Sequence, residues 1–230
     1  MEREREEERI RRIYSARDQN LSMGFGMIHR IIDSFYRDRA LYNLLKKYDL
    51  LPLADKKIID FGCGTCARLR ELIRFGATPE NLYGIDLSKE RIAICQKFSP
   101  NINVQVGSCI ATGYPDDTFD IVINSTMMSS ILDNTIAQDI ADEMCRVLKP
   151  SSGVILWYDM RFDNPWNKDV RGYSREAIQH LFSGYSIDLR SISLPSRFGS
   201  IVESVPSLYH LMHIFPFLRT HYFGVIKKCQ

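Results

Sequence analysis

Seven residues, Asp60-Phe61-Gly62-Cys63-Gly64-Thr65-Cys66, halt a short apolar run and open a helical one. Glycines at such a turn reach backbone conformations closed to other residues and let a ligand approach the amides at the positive end of the helix. Asp86 stands 22 residues beyond Gly64, at the end of another apolar run. A carboxylate there can accept from the two hydroxyls of a ribose. The same residues fit the dinucleotide fingerprint, since Gly62, Gly64 and Ala67 satisfy G-x-G-x-x-G/A and the acid lies close to the expected ~20 residues further on. An NAD(P)-dependent oxidoreductase is therefore one reading; it would need a proton relay, and the Tyr42 to Lys46 spacing that suits one precedes the loop. Asp159 ends a later apolar run and is the best-placed base for an acceptor hydroxyl, with a capping carboxylate as the alternative. Cys63 and Cys66 spell C-x-x-C, but no second pair or spaced His pair completes a tetrahedral set, so no metal is expected. Met127 and Met128 are candidates for a ligand-site wall or for core filling.

The elements that must carry these residues follow from periodicity. Residues 56–61, 82–86, 102–106, 119–124 and 153–159 are short buried-strand patterns, and helical spacing fills 68–75, 89–98 and 133–148. Strictly alternating strands and helices require a parallel sheet covered on both faces, with ligands beyond the strands' C-terminal ends. Residues 185–194 and 220–228 read as two further strands. The expected fold is α/β, a Rossmann-like doubly wound, seven-stranded, mostly parallel sheet, with an N-terminal helical extension. Residues 1–52 form the helical cap, and 53–230 the main domain, with a helical lid at 196–216. The 230 residues are 45% apolar, enough for a substantial core, and 30 Lys+Arg against 28 Asp+Glu leave a charge of +2. So weak a field gives no reason to expect a nucleic-acid partner. Six scattered cysteines without a regular framework suggest a reducing cytoplasm, and no window reaches the ~18 apolar residues of a spanning helix.

Four motifs resemble the class I S-adenosylmethionine-dependent methyltransferases, in the family's order. Ile58-Ile59-Asp60-Phe61-Gly62-Cys63-Gly64-Thr65 is similar to the first motif, and Gly84-Ile85-Asp86-Leu87-Ser88 to the second-strand motif. Asp117 to Val122 resembles the entry to the fourth strand, and Arg146 to Gly153 the R-V-L-K-P-G-G turn. The resemblance implies S-adenosyl-L-methionine as cofactor, held by Asp60, Gly62, Cys63, Gly64, Asp86, Leu87, Ser108, Cys109 and Asn124. It also implies that Tyr14 and Arg17 of the N-terminal helix reach the cofactor's amino-acid end. Cys66 replaces a usual glycine, and Gly107-Ser108-Cys109 replaces G-D-A, so adenine binding would rest on backbone near Cys109 and on walls such as Leu87 and Ile110. A catalytically silent cofactor-binding relative is a third reading.

The connection Trp157 to Ser174 is dense in polar and aromatic groups, as functional loops are. Arg161 and Arg171 suit an anionic acceptor, and Trp166 and Tyr173 offer flat faces to a sugar or ring. The run W-Y-D-x-R-x-x-N-P-x-N-x-x-V-R-G resembles one in bacterial methyltransferases of polysaccharide assembly, which implies O-methylation of a glycan or other small molecule. From Arg190 onward five cations (Arg190, Arg197, Arg219, Lys227, Lys228) face one acid, Glu203, among dense apolar residues. Residues 196–216 thus read as a lid or as a face for peripheral membrane contact.

Overall fold

A computed structural model describes residues 2–19 and 27–229. Two helices, α1 (Glu2–Gln19) and α2 (Met27–Lys47), precede the sheet. Then come β1 (Ile58–Phe61), α3 (Ala67–Ile73), β2 (Leu82–Asp86), α4 (Lys89–Phe98), β3 (Asn103–Val106), β4 (Ile121–Ser125), α5 (Asn134–Val147) and β5 (Val154–Met160). The chain ends with α6 (Arg175–Leu181), β6 (Tyr185–Ile192), α7 (Gly199–Ser204), α8 (Ser207–His213) and β7 (His221–Lys228). The strand order is β3-β2-β1-β4-β5-β7-β6, with β7 antiparallel to both its neighbours and every other pair parallel. This is the expected seven-stranded, mostly parallel α/β sheet.

Side-chain alternation sorts the strands' residues between two cores. Ile59, Phe61, Val122, Ile155 and Trp157 meet Ile136, Ile140 and Met144 of α5 and Ile178 of α6 on one face. Ile58, Ile121, Ile123 and Leu156 meet Leu41, Leu44 and Leu45 of α2, Leu69 and Leu72 of α3 and Ile92 of α4 on the other. Strand order reverses between β1 and β4, so the loops after both strands open into one crevice.

Three features differ from the sequence reading. Helix α6 fills a stretch to which the sequence reading assigns no element; Ser174 marks its start, its hydroxyl accepting from the Ala177 amide at 3.2 Å. The expected lid comprises α7 and α8 and is packed down, with Val202, Tyr209 and Leu194 forming a small core with Ile28, Ile32 and Tyr36 of α2. The third concerns the cysteines: against the expectation of a reducing environment, Cys66 and Cys95 form a disulfide between the glycine loop and α4. No helix among the described residues is long and apolar enough to cross a membrane.

Candidate functional site

The crevice starts where β1 ends. The Gly62 and Cys63 amides donate to the Ile85 carbonyl at 2.8 and 3.0 Å, which folds the loop across the end of β2. Gly62 adopts φ +72°, and a Cβ there would lie 2.4 Å from Cγ of Met127, so only glycine fits both the backbone and its neighbour. At the tip of β2, Asp86 accepts from the Gly64 amide through Oδ2 and from the Ser88 amide through Oδ1, both at 2.8 Å. Ser88 caps α4 by accepting from the Arg91 amide at 3.2 Å. The Asp86 carboxylate is therefore oriented before any ligand arrives, and each oxygen retains lone-pair capacity for a hydroxyl.

Two cavities meet at Gly62 and Ser125. The first, of about 150 Å³, is lined by Asp86, Leu87, Ser108, Cys109, Ile110 and Met127 and roofed by Ile10 and Tyr14 of α1. Tyr14 is fixed by a 2.8 Å hydrogen bond between its hydroxyl and that of Ser130, and Arg91 lies 4.4 Å over its ring. The second, of about 290 Å³, is lined by Asp60, Cys63, Thr65, Arg37 and Arg68. Asp60 is buried there, and its Oδ1 has no hydrogen-bond partner. Burial, opposed by Arg68 and reinforced by Asp86 and Glu71, pushes its pKa up to about 8. Arg68 is paired with Glu71, and Arg37 with Asp33 at 3.1 Å.

Of the residues expected to hold a cofactor, the structure thus gathers Asp60, Gly62, Cys63, Asp86, Leu87, Ser108, Cys109 and Tyr14 around the paired cavities. Gly64 contributes its amide to Asp86 instead of lining them. The Arg17 side chain lies outside the described residues. Asn124 is corrected: it is wholly buried, donating from Nδ2 to Asp159 at 3.1 Å and accepting the Met128 amide at 3.1 Å, so it braces the loop after β4 from beneath. Met127 lines the first cavity, whereas Met128 is core.

Asp159 as the base is also corrected. Its carboxylate is fully buried and lines neither cavity; it accepts from Asn124, from the Ser129 amide at 3.1 Å and from the Met160 amide at 2.8 Å. Burial raises its pKa, these donors oppose the rise, and its role is to fix the loop that carries Ser125 and Met127.

The four expected acceptor residues do not converge. Arg161 donates to the Pro216 carbonyl at 3.1 Å and stacks on Phe162 and Tyr222. Arg171 donates to the Tyr173 hydroxyl, and Tyr173 is buried against Trp157, with both residues at a separate surface hollow beside α6. Trp166, 77% exposed, stands on a groove between the loop after β5 and the start of β7. Sequence reasoning missed Arg37 and Arg68. Arg68 had a signal, its place in the first turn after the glycine loop; Arg37 had none, because its approach depends on how α2 packs.

With this geometry in place, the comparisons agree with one another. Residues 58–151 match the methyltransferase-domain family. A sterol 24-C-methyltransferase of Yarrowia lipolytica is 32% identical over 127 residues, covering 50% of this chain and 32% of its own length. A ubiquinone/menaquinone biosynthesis C-methyltransferase UbiE of Geotalea daltonii is 26% identical over 148 residues, covering 61% and 59%. The chain therefore spans about a third and just under two thirds of these two curated relatives. Among solved structures, a putative sarcosine dimethylglycine methyltransferase from Galdieria sulphuraria superposes with a TM-score of 0.62 at 17% identity, covering 84% of this chain and 85% of that one. The match to the methyltransferase-domain family is confined to residues 58–151, and the chain around them has the class I S-adenosylmethionine-dependent methyltransferase fold. Its cofactor is S-adenosyl-L-methionine.

Proposed function

We propose that the protein transfers a methyl group from S-adenosyl-L-methionine to a small-molecule acceptor. The observation that carries this reading is the unpartnered, buried Oδ1 of Asp60, one loop away from a pre-oriented Asp86. A buried acceptor atom without a donor is costly unless a ligand supplies one. An α-amino acid joined to a nucleoside fits both ends: Asp60 takes the ammonium, Arg37 and Arg68 face the carboxylate, and Asp86 takes the ribose hydroxyls. Leu87, Ile110 and Met127 wall the adenine, while Ile10 and Tyr14 of α1 exclude water from it. S-Adenosyl-L-methionine supplies an electrophilic methyl on a sulfonium, so alignment of the acceptor can provide most of the acceleration. Neither nicotinamide chemistry nor its phosphates is favoured by a cavity that ends on a carboxylic acid.

Two acceptors are compatible with this donor site. A glycan hydroxyl is supported by the resemblance of the Trp157–Gly172 run, but Arg171 and Tyr173 turn away and Asp159 is unavailable as its base. A carbon acceptor on a largely apolar molecule is supported by the relatives named above, a sterol and a quinone-biosynthesis C-methyltransferase. Peripheral membrane contact is a further proposal, resting on exposed Leu211, Ile214, Phe215 and Phe217; cosedimentation with anionic vesicles tests it. The deciding experiment for the donor is calorimetric titration with S-adenosylhomocysteine and with NADH. Single-site binding of the first alone is expected; binding of NADH alone overturns the reading. Labelled-methyl transfer into sugar-nucleotide, lipid-linked glycan and apolar-ring pools then separates the acceptors, and binding without transfer into any pool favours the silent relative.

A further inference from the structure

We infer that the groove beside Trp166 holds the body of the acceptor, and that this acceptor is an apolar or aromatic molecule carrying one acidic group. The inference rests on the methyl-transfer reading for its purpose but not for its test. The groove has a volume of about 640 Å³, within the range of small-molecule sites. Its walls are Phe162, Pro165, Trp166, Pro195, Phe217 and Leu218. Trp166 is 77% and Phe217 70% exposed, so two large rings stand in water across a concave surface. Asp163, Asn164, Ser196 and Arg197 also line the groove and can meet polar groups, while an apolar ring or chain is what removes the two exposed rings from water.

Charge selects the other half of the ligand. The guanidinium of Arg197 lies 4.8 Å over the Trp166 ring and 5.4 Å over that of Phe198. Among the described residues no carboxylate pairs with it. A guanidinium held over a ring keeps N–H donors that can fork onto a carboxylate, sulfonate or phosphate. Asp163 also lines the groove and carries the opposite charge, with Oδ1 accepting from the Gly172 amide at 2.8 Å, so the acidic group of the ligand must lie on the Arg197 side; Arg161 donates to the Pro216 carbonyl.

The inner end of the groove points to the donor. Met160, Thr220 and His221 also line it, and the His221 ring stacks on Tyr158 with centroids 4.8 Å apart and planes 6° from parallel. Tyr158 in turn receives the guanidinium groups of Arg37 and Arg68 at 5.4 and 5.8 Å, and these two line the cavity of Asp60. Tyr158 and His221 thus link a residue of the groove to two residues of the donor cavity, which puts the two sites on one rim of the sheet.

Two fluorescent probes that differ by one acidic group test this. 8-Anilinonaphthalene-1-sulfonate and its neutral counterpart N-phenyl-1-naphthylamine are titrated into the full chain, following energy transfer from tryptophan. Both are expected to bind, the sulfonate more tightly. Arg197→Gln should weaken the sulfonate about tenfold, the scale of one charge-assisted hydrogen bond, and leave the neutral probe within about twofold. Phe217→Ser should weaken both. Unchanged sulfonate binding in Arg197→Gln, or equal losses for the two probes in that variant, overturns the inference. S-Adenosylhomocysteine affinity in both variants should equal that of the wild type, which also shows that they are folded. If the wild type fails to bind S-adenosylhomocysteine, the donor reading falls while the probe titrations still decide the groove.

Discussion

On the donor side of the crevice the polar groups are held by backbone at the ends of parallel strands, whereas on the cap side they are held by one another. Asp86 is bonded to two amides, and the Gly62 and Cys63 amides to the Ile85 carbonyl. Across the crevice, Asp33 of α2 accepts from Tyr209 at 2.5 Å and from Ser193 at 3.2 Å, and Ser193 bonds the Tyr158 hydroxyl at 3.0 Å. A strand end leaves little freedom, because shifting one carboxylate means shifting a sheet. A side-chain network between α2, α8 and β5 can be rebuilt residue by residue without moving the sheet. The comparison predicts that donor binding responds most to changes at the strand ends.

Asp86→Ala should have the largest effect. It removes two charge-assisted bonds that shape the loop and the acceptor for the ribose hydroxyls, and S-adenosylhomocysteine affinity should fall about 100-fold, or ~2.7 kcal/mol. A loss under fivefold in calorimetry would break the comparison at its strongest point. Next is Cys95→Ser, which frees the Cys66 end of the loop. Chemical denaturation should show a loss of about 2 kcal/mol. Because the Gly64 and Ser88 bonds to Asp86 remain, affinity should change by less than about threefold.

The donor side was legible in the sequence for the same reason that it is rigid. Asp60, Gly62, Gly64 and Asp86 sit at strand ends, where a change of period and a glycine announce a turn, and the sheet order then brings them together without reference to any other contact. Asp159 shares that kind of position and misled, since periodicity gives the strand end but not whether a neighbouring strand's loop covers it; Ser129 and Asn124 do. Cys66 and Cys95 are 29 residues apart and carry no spacing signal, so their bond appears only when α4 is laid beside the loop. Arg37 depends on packing of the cap, and the separation of Trp166 from Arg171 depends on where the loop after β5 docks, with Arg171 on Asn134 and Trp166 beside Arg197; no local pattern encodes either.

Asp60→Asn sharpens the comparison through pH. Burial holds this carboxyl near 8 in the folded chain, against 3.8 as its ordinary value, so the folded state keeps a proton that the unfolded state has lost across that interval. Stability from this group is complete below about pH 4 and is forfeited as pH rises toward 8. A cofactor ammonium requires the ionised form, so binding should release a proton below pH 8, and affinity should rise between pH 6 and 8. Calorimetry in buffers of different ionisation heat counts that proton. The asparagine variant should bind about tenfold more weakly at pH 8, with a flat pH profile and no proton release. A sloping profile in the variant would assign the titration to another group.

Tyr14→Phe should have the smallest effect, and it tests the comparison from the cap side. The substitution keeps the ring that roofs the first cavity and lies under Arg91, and it removes only the hydroxyl bonded to Ser130. A single neutral hydrogen bond on a half-buried roof corresponds to roughly 0.5–1 kcal/mol, or about a two- to fivefold loss of S-adenosylhomocysteine affinity. The loss should appear in the dissociation rate, since α1 covers the site after the ligand enters. If Tyr14→Phe costs more affinity than Asp60→Asn, then α1 and not the strand ends governs retention of the donor, and the rigid half of this molecule would have to be redrawn to include its first helix.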